Sequence, residues 1–243
     1  MDETYYVGAY WASRKESAES CASRVERFLG ALSRCDPSFA QWFRQGRTRQ
    51  AALKHPFPTD VESVTAFFLR QSQKAGRLAT QGWSADVWNG QSADEDSSAL
   101  SLCCGATSPR LPNFCLLEPP LEGPTAERLL RPPLLTQILR ALVLAWNPEW
   151  GVATSHAFRD RLTDSAEAGT FVGPLTYFSR RRGVLPPLPP AVQLEPVEDL
   201  GTLVLLTPEP VSSSNPHHLD LAREVSERLS RAGLLSPLRP EAP

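Results

Sequence analysis

From Leu134 to Trp146 only Thr136, Gln137 and Arg140 are polar, so this stretch is apolar around most of a helical circumference. A helix of that kind belongs inside a core, and at this length it is too short to cross a bilayer. Asn147-Pro148 is expected to stop it, and Trp150-Gly151 to turn the chain into a short strand over Val152 to Ser155. Other segments carry the two standard periods. Tyr5, Val7, Ala9 and Trp11 alternate as a strand does. Ala18, Cys21, Ala22, Val25, Phe28, Leu29 and Leu32 recur at helical spacing, behind a capping box predicted at Ser13 and Glu16. A short helix carrying Phe39, Trp42 and Phe43 is predicted from the Asp36-Pro37 cap to Gly46. A second capping box, Thr59 and Glu62, predicts a helix with Val61, Val64, Phe67 and Phe68 that closes near Gly76.

Trp83 to Trp88, Ala99 to Cys104 and Asn113 to Leu117 are short and separated by turn residues, which predicts an antiparallel meander. Trp83 and Trp88 are five apart, so their rings face opposite sides and one of them is free to serve as a binding anchor. After the central helix, Gly169 to Tyr177 and Thr202 to Thr207 read as strands, and a last helix from Asn215-Pro216 presents Leu219, Ala222, Val225 and Leu229 on one face up to Gly233. Val184 to Pro196 is proline-rich and expected to be extended. The pattern therefore predicts an α+β fold: antiparallel or mixed sheet packed with helices around a buried central helix at about 131–146. One domain covers 1–235, with possible duplicated halves near 1–146 and 147–235, and 236–243 is expected to be a flexible tail.

Composition narrows the chemistry. The 243 residues are 41% hydrophobic and 21% charged with a formal net charge of −2, ordinary for a folded domain and opposed to a general nucleic-acid binder. No apolar export segment follows Met1 and no run of 18 apolar residues occurs, so a cytoplasmic protein with no membrane association is expected. The five cysteines form no CxxC pair and read as reduced, Cys21 on a helix face and Cys35, Cys103, Cys104 and Cys115 near strands. His55, His156 and the pair His217-His218 lie in separate segments without metal-ligand spacing; His156 and Asp160, four apart, read as a structural polar pair. Nucleophile-elbow and phosphate-loop motifs are absent. No catalytic residue, metal or cofactor is therefore expected. The acidic run Asp94, Glu95 and Asp96 is either a solvated hairpin tip or a carboxylate patch for a basic partner. The basic run Arg180 to Arg182 is either a solvated strand end or an anion contact.

Six segments in order, ETYYVGAYWASRKESAESCASR, DPSFAQWF, ALKHPFPT, LVLAWNPEWGVATSH, GTFVGPLTYFSRRRG and EPVEDLGTLVLLTPEPVSSSNPHH, resemble the immunity protein 52 family of bacterial polymorphic-toxin systems. The resemblance runs from Glu3 to Leu235, with the stretch from Gln71 to Gly123 departing from it. It implies a non-enzymatic cytoplasmic α+β protein that binds a toxin domain encoded by a neighbouring gene. The toxin associated with such families is a restriction-endonuclease-like nuclease delivered by a contact-dependent or type VI-like route. The alternatives are an adaptor acting through the proline-rich segment and an enzyme of unknown chemistry centred on His156. For toxin binding, Trp88, Asp94, Glu95 and Asp96 are the candidate residues, and Glu195, Glu198 and Asp199 the second choice.

Overall fold

A computed structural model describes residues 3–75, 79–91, 93–108, 113–163 and 170–238. The elements in chain order are β1 (Tyr5–Trp11), α1 (Ala18–Cys35), β2 (Phe43–Arg44), α2 (Arg49–Ala52), α3 (Val61–Ala75), β3 (Trp83–Trp88), β4 (Ala99–Cys104), β5 (Asn113–Glu118), α4 (Gly123–Leu129), α5 (Pro132–Trp146), β6 (Trp150–Ser155), α6 (His156–Asp160), β7 (Leu175–Ser179), β8 (Gln193–Val197), β9 (Gly201–Leu205) and α7 (Pro216–Arg231).

The central helix of the sequence is α5. Pro132 starts it, where a missing N–H costs nothing, and Asn147 ends it in the left-handed region (φ 46°) while donating its N–H to the Val143 carbonyl at 2.8 Å. Only Pro133 and Gln137 of its fifteen residues are exposed. The polar positions inside the helix are satisfied: Thr136 Oγ1 donates to the Pro132 carbonyl (2.8 Å), and Arg140 reaches out to Glu195 (2.8 Å) and the Pro196 carbonyl (3.0 Å). Its C-terminal carbonyls accept from Arg14, Arg24 and Arg181, and Glu16 bridges Arg14 (2.8 Å) and Arg24 (2.6 Å). Cations at this end also oppose the negative pole of the helix.

The described strands form one nine-stranded antiparallel sheet in the order β2-β3-β4-β5-β1-β6-β7-β9-β8. The fold is α+β. β1 is central and pairs on one side with β5 and on the other with β6, so both halves of the chain share this sheet. Helices α1, α3 and α5 pack on one face, where Trp146 stacks on Trp11 at 5.4 Å. On the opposite face α7 lays Leu219, Ala222, Val225 and Leu229 against Trp150, Val152, Phe178 and Val204 of β6, β7 and β9, in a cluster that also takes in Tyr6 of β1 and is flanked by Tyr10 and Leu116.

Several boundaries differ from the sequence pattern. Ser17, not Ser13, caps α1, because Glu16 is taken up by the two arginines. Asp60, not Thr59, caps α3, accepting from the Ser63 N–H at 2.8 Å. Gly76, expected to close that helix, lies outside the described residues. The helix expected through Phe43 is a single 3-10 turn, Pro37–Phe39, after which Phe43 and Arg44 extend to pair with Trp88 and Val87. Cys35 ends α1 instead of lying near a strand. Gly169 also falls outside the described residues, and the strand expected from it begins at Leu175. Of the tail, 239–243 lie outside the described residues; Ser236 is held by Arg182 and Thr170, and Leu238 packs on the α7 side.

Candidate functional site

Burial along the strands divides the sheet in two. β6 and β7 are buried at every position, because helices cover both of their faces. In β3, β4 and β5 burial alternates: Ala85, Val87, Leu100, Leu102, Cys115 and Leu117 point into the helix-side core. Their neighbours point the other way, where no helix lies over them among the described residues. Register places Asp86 beside Ser101 and Leu116, and Trp88 beside Ala99 and Glu118. Tyr10 and Phe114 pair across β1 and β5 on the same face. Tyr10 stacks on Trp150 (5.2 Å), and its ring lies over Gly8, where a Cβ would meet the phenol oxygen at 2.5 Å. Burial pushes the Tyr10 phenol up, so it stays neutral.

The two tryptophans of β3 divide as expected. Trp83 packs on the helix side near Phe68 and donates Nε1–H to the Glu16 carbonyl (3.1 Å), whereas Trp88 turns to the uncovered face. Its partners there are Phe43, ring centroids 6.3 Å apart, and the Arg49 guanidinium 6.0 Å from its ring. Gly90 (φ 75°) lets the Phe43 ring sit against the backbone; a Cβ there would be 2.4 Å from Phe43 Cε2. Leu53, 38% exposed, completes this edge.

Asp94 to Asp96 form a 3-10 turn between β3 and β4 that docks on α4. Asn89, nearly buried, holds the turn: its amide donates to the carbonyls of Asp96 (3.0 Å) and Ser38 (3.3 Å) and accepts from the Ser98 N–H (3.0 Å). Glu95 is exposed and lies against Gly123, while Asp96 is partly covered and faces the charge of Arg128. Arg128 forks onto Asp36 at 2.7 and 3.1 Å. Burial raises the Asp36 carboxyl, but hydrogen bonds from Arg128 and Ser38 more than offset it and hold the group below the ordinary carboxylate range. The turn is thus anchored at Asp96 and open at Glu95.

The second-choice residues lie at the other end of the molecule. Glu195 sits on edge strand β8 in its ion pair with Arg140, and Glu198 (φ 47°) and Asp199 are exposed in the β8–β9 turn. β3 and β8 are seven strand spacings apart in the sheet order, roughly 34 Å at 4.8 Å per strand. The two acidic groups therefore belong to separate surfaces.

Other sequence candidates acquire structural roles. Arg181 caps α5 through Asn147, and Arg182 donates to the Leu234 and Ser236 carbonyls behind α7, so these two arginines of the run have structural roles, while Arg180 is exposed. His156 lies tilted against the Tyr6 ring (centroids 4.8 Å apart) and Asp160 pairs with Arg159 (2.8 Å), so the two do not face each other as partners. Within the proline-rich segment Leu185, Leu188 and Val192 pack on the α7-side core, although Val184 is 89% exposed. A cleft of about 410 Å³ beside β2 and β3, between Arg44, His55, Phe67 and Asp86, mixes charges without a converging set of nucleophile and base. Among the described residues no three His, Cys, Asp or Glu side chains gather as metal ligands, and no single helix is long and apolar enough to cross a membrane. Asp86, Glu118, Phe114 and Leu116 do not stand out in the sequence; their signal is the alternation of β3 to β5.

These features describe an α+β protein whose distinctive surface is a half-covered antiparallel sheet with an acidic turn at its rim. The chain belongs to the Immunity protein 52 family, whose profile matches residues 3–238, essentially its whole length. Among solved structures it is similar to the Pseudomonas aeruginosa T6SS protein PA0821, with a TM-score of 0.56 and 12% identity over 96% of this chain and 73% of that one. A search of curated protein sequences found no match.

Proposed function

We propose that this protein acts in the cytoplasm as a stoichiometric, non-catalytic inhibitor of a toxin encoded beside its gene. Family membership across residues 3–238 carries this reading. The toxin class we assign is a nuclease, delivered by a type VI-like route of the kind named for the structural neighbour. A nuclease cleft is shaped for phosphates and is basic around its carboxylates, so an acidic inhibitor surface speeds encounter while an aromatic anchor slows release. Trp88 with Asp94, Glu95 and Asp96 supplies such a combination on one rim; Glu195, Glu198 and Asp199 supply acid alone on the far edge.

The test is co-expression of this chain with the toxin domain from the adjacent gene, followed by isolation of the purified pair. Growth rescue and a stoichiometric complex with chemically unmodified toxin are expected. Rescue by strongly substoichiometric amounts, or toxin left covalently altered, would reveal an enzyme instead. Toxin activity assayed on DNA, RNA and protein substrates decides the nuclease assignment separately.

A further inference from the structure

Resting on that reading, we infer that the toxin docks on the uncovered sheet face of β3, β4 and β5, and that its contacting surface is basic. The outward positions of these strands carry two carboxylates, Asp86 and Glu118, both exposed, and no lysine, arginine or histidine. Around the carboxylates stand the partly exposed apolar side chains Trp88, Phe114 and Leu116, with small Ser101 at the centre. At the margins Arg49 lies over Trp88 and Arg159 pairs with Asp160, while Arg44 and His55 share the cleft with Asp86 at the β2 edge. Outward positions that carry acid and no base, set among aromatics on a rigid ladder, are complementary to a cationic surface.

Size points the same way. Three strands of six residues present a projected area of roughly 300 Å², less than half of what each partner contributes to a standard interface of about 800 Å² a side. The rim must supply the remainder. The 3-10 turn with exposed Glu95 and the α2 side with Leu53 flank the Trp88 end and extend the surface with acid and apolar area. Helix α7 bars the same approach over β6, β7 and β9.

Binding of the adjacent-gene toxin domain to Ser101→Arg, Asp86→Lys and the far-edge control Glu198→Lys is the experiment, with wild type alongside. Ser101→Arg places bulk and positive charge at the centre and is expected to weaken affinity about 100-fold; Asp86→Lys should slow association about tenfold at low salt; Glu198→Lys should change neither. Thermal melts and far-UV circular dichroism establish that the variants fold. A measurement on unmutated protein stands beside them: Cys103 points outward on β4 and Cys35 ends α1 on the helix side, and both are partly exposed. Maleimide labelling of the complex should protect Cys103 and leave Cys35 unchanged. Wild-type binding with unaffected Ser101→Arg and an unprotected Cys103 would overturn this face while leaving the immunity reading intact; loss of binding in Glu198→Lys alone would move the interface to β8. Wild type that neither binds nor rescues would overturn both.

Discussion

Leu139 on α5 is fully buried, and its Cδ1 lies 3.0 Å from where a Cβ on Gly151 would stand. The helix thus touches bare β6 backbone at this point. Leu139→Ala removes three carbons, about 2.4 kcal/mol of transfer free energy at roughly 0.8 per carbon. β6 is tied into ladders with β1 and β7, so the strand cannot collapse into the gap, and the residual cavity brings the loss to about 3–4 kcal/mol. Gly151→Ala has the opposite fault: its methyl would press on Leu139 Cδ1 and stand 3.2 Å from the Gly8 carbonyl oxygen, an overpacking cost of about 1–2 kcal/mol. In the double variant the new methyl enters space that Leu139 has vacated, so the two losses should sum to about 1 kcal/mol less than additivity requires. Urea unfolding followed by tryptophan fluorescence and circular dichroism measures all three. A loss below about 1 kcal/mol for Leu139→Ala, an exposed-site value, would mean that α5 is not the centre of the core. Strict additivity would refute the direct contact.

Two further perturbations probe the periphery. Arg128→Ala strands the Asp36 carboxylate, whose side chain is 3% exposed, and should destabilise the protein by about 1–3 kcal/mol near neutral pH. Because the folded Asp36 pKa is below its ordinary value of 3.8, the pair stabilises at higher pH and that contribution is lost as pH falls through the folded value; the difference between wild type and variant should narrow below about pH 4, and a gap constant with pH would exclude Asp36 as its origin. Glu198→Gly relieves a left-handed, exposed non-glycine residue (φ 47°) in the β8–β9 turn and should stabilise by about 0.5 kcal/mol without altering toxin binding; a lower denaturation midpoint would refute it.

Long periodic segments are legible in the sequence. The apolar circumference of Leu134 to Trp146 falls inside α5, and Trp83 to Trp88 and Ala99 to Cys104 coincide with β3 and β4. What escapes a sequence reading depends on contacts remote along the chain. Glu16 looks like a capping-box carboxylate, but Arg14 and Arg24 hold it against the end of α5. Phe43 follows Phe39 at helical spacing, yet it pairs with Trp88, and a two-residue strand has no period to read. The acidic run is visible as composition, but Asp96 leaning toward Arg128, itself bound to an aspartate 92 residues away, is not. Arg181 and Arg182 look like free charge because backbone carbonyls, among their actual partners, leave no trace in sequence.

The division of the sheet follows from strand sequence more directly than its outward residues do. β9, GTLVL, runs Leu, Val and Leu without a break, as a strand covered on both faces does; β3, WSADVW, interrupts its apolar residues with Ser and Asp, as a strand covered on one face does. That alternation explains why α7 stops where it does. It does not explain Trp88, Phe114 and Leu116 on the outward side, where solvent alone would favour threonine, lysine and glutamate. Their partial exposure loses burial free energy in the free protein and gives the sheet an adhesive face, a hazard when left uncovered. Asp86 and Glu118 among them oppose self-association, since a second copy would bring like charges together, and favour a basic surface for the same reason. On the docking proposed above, apolar groups would supply the adhesion and the carboxylates the choice of partner.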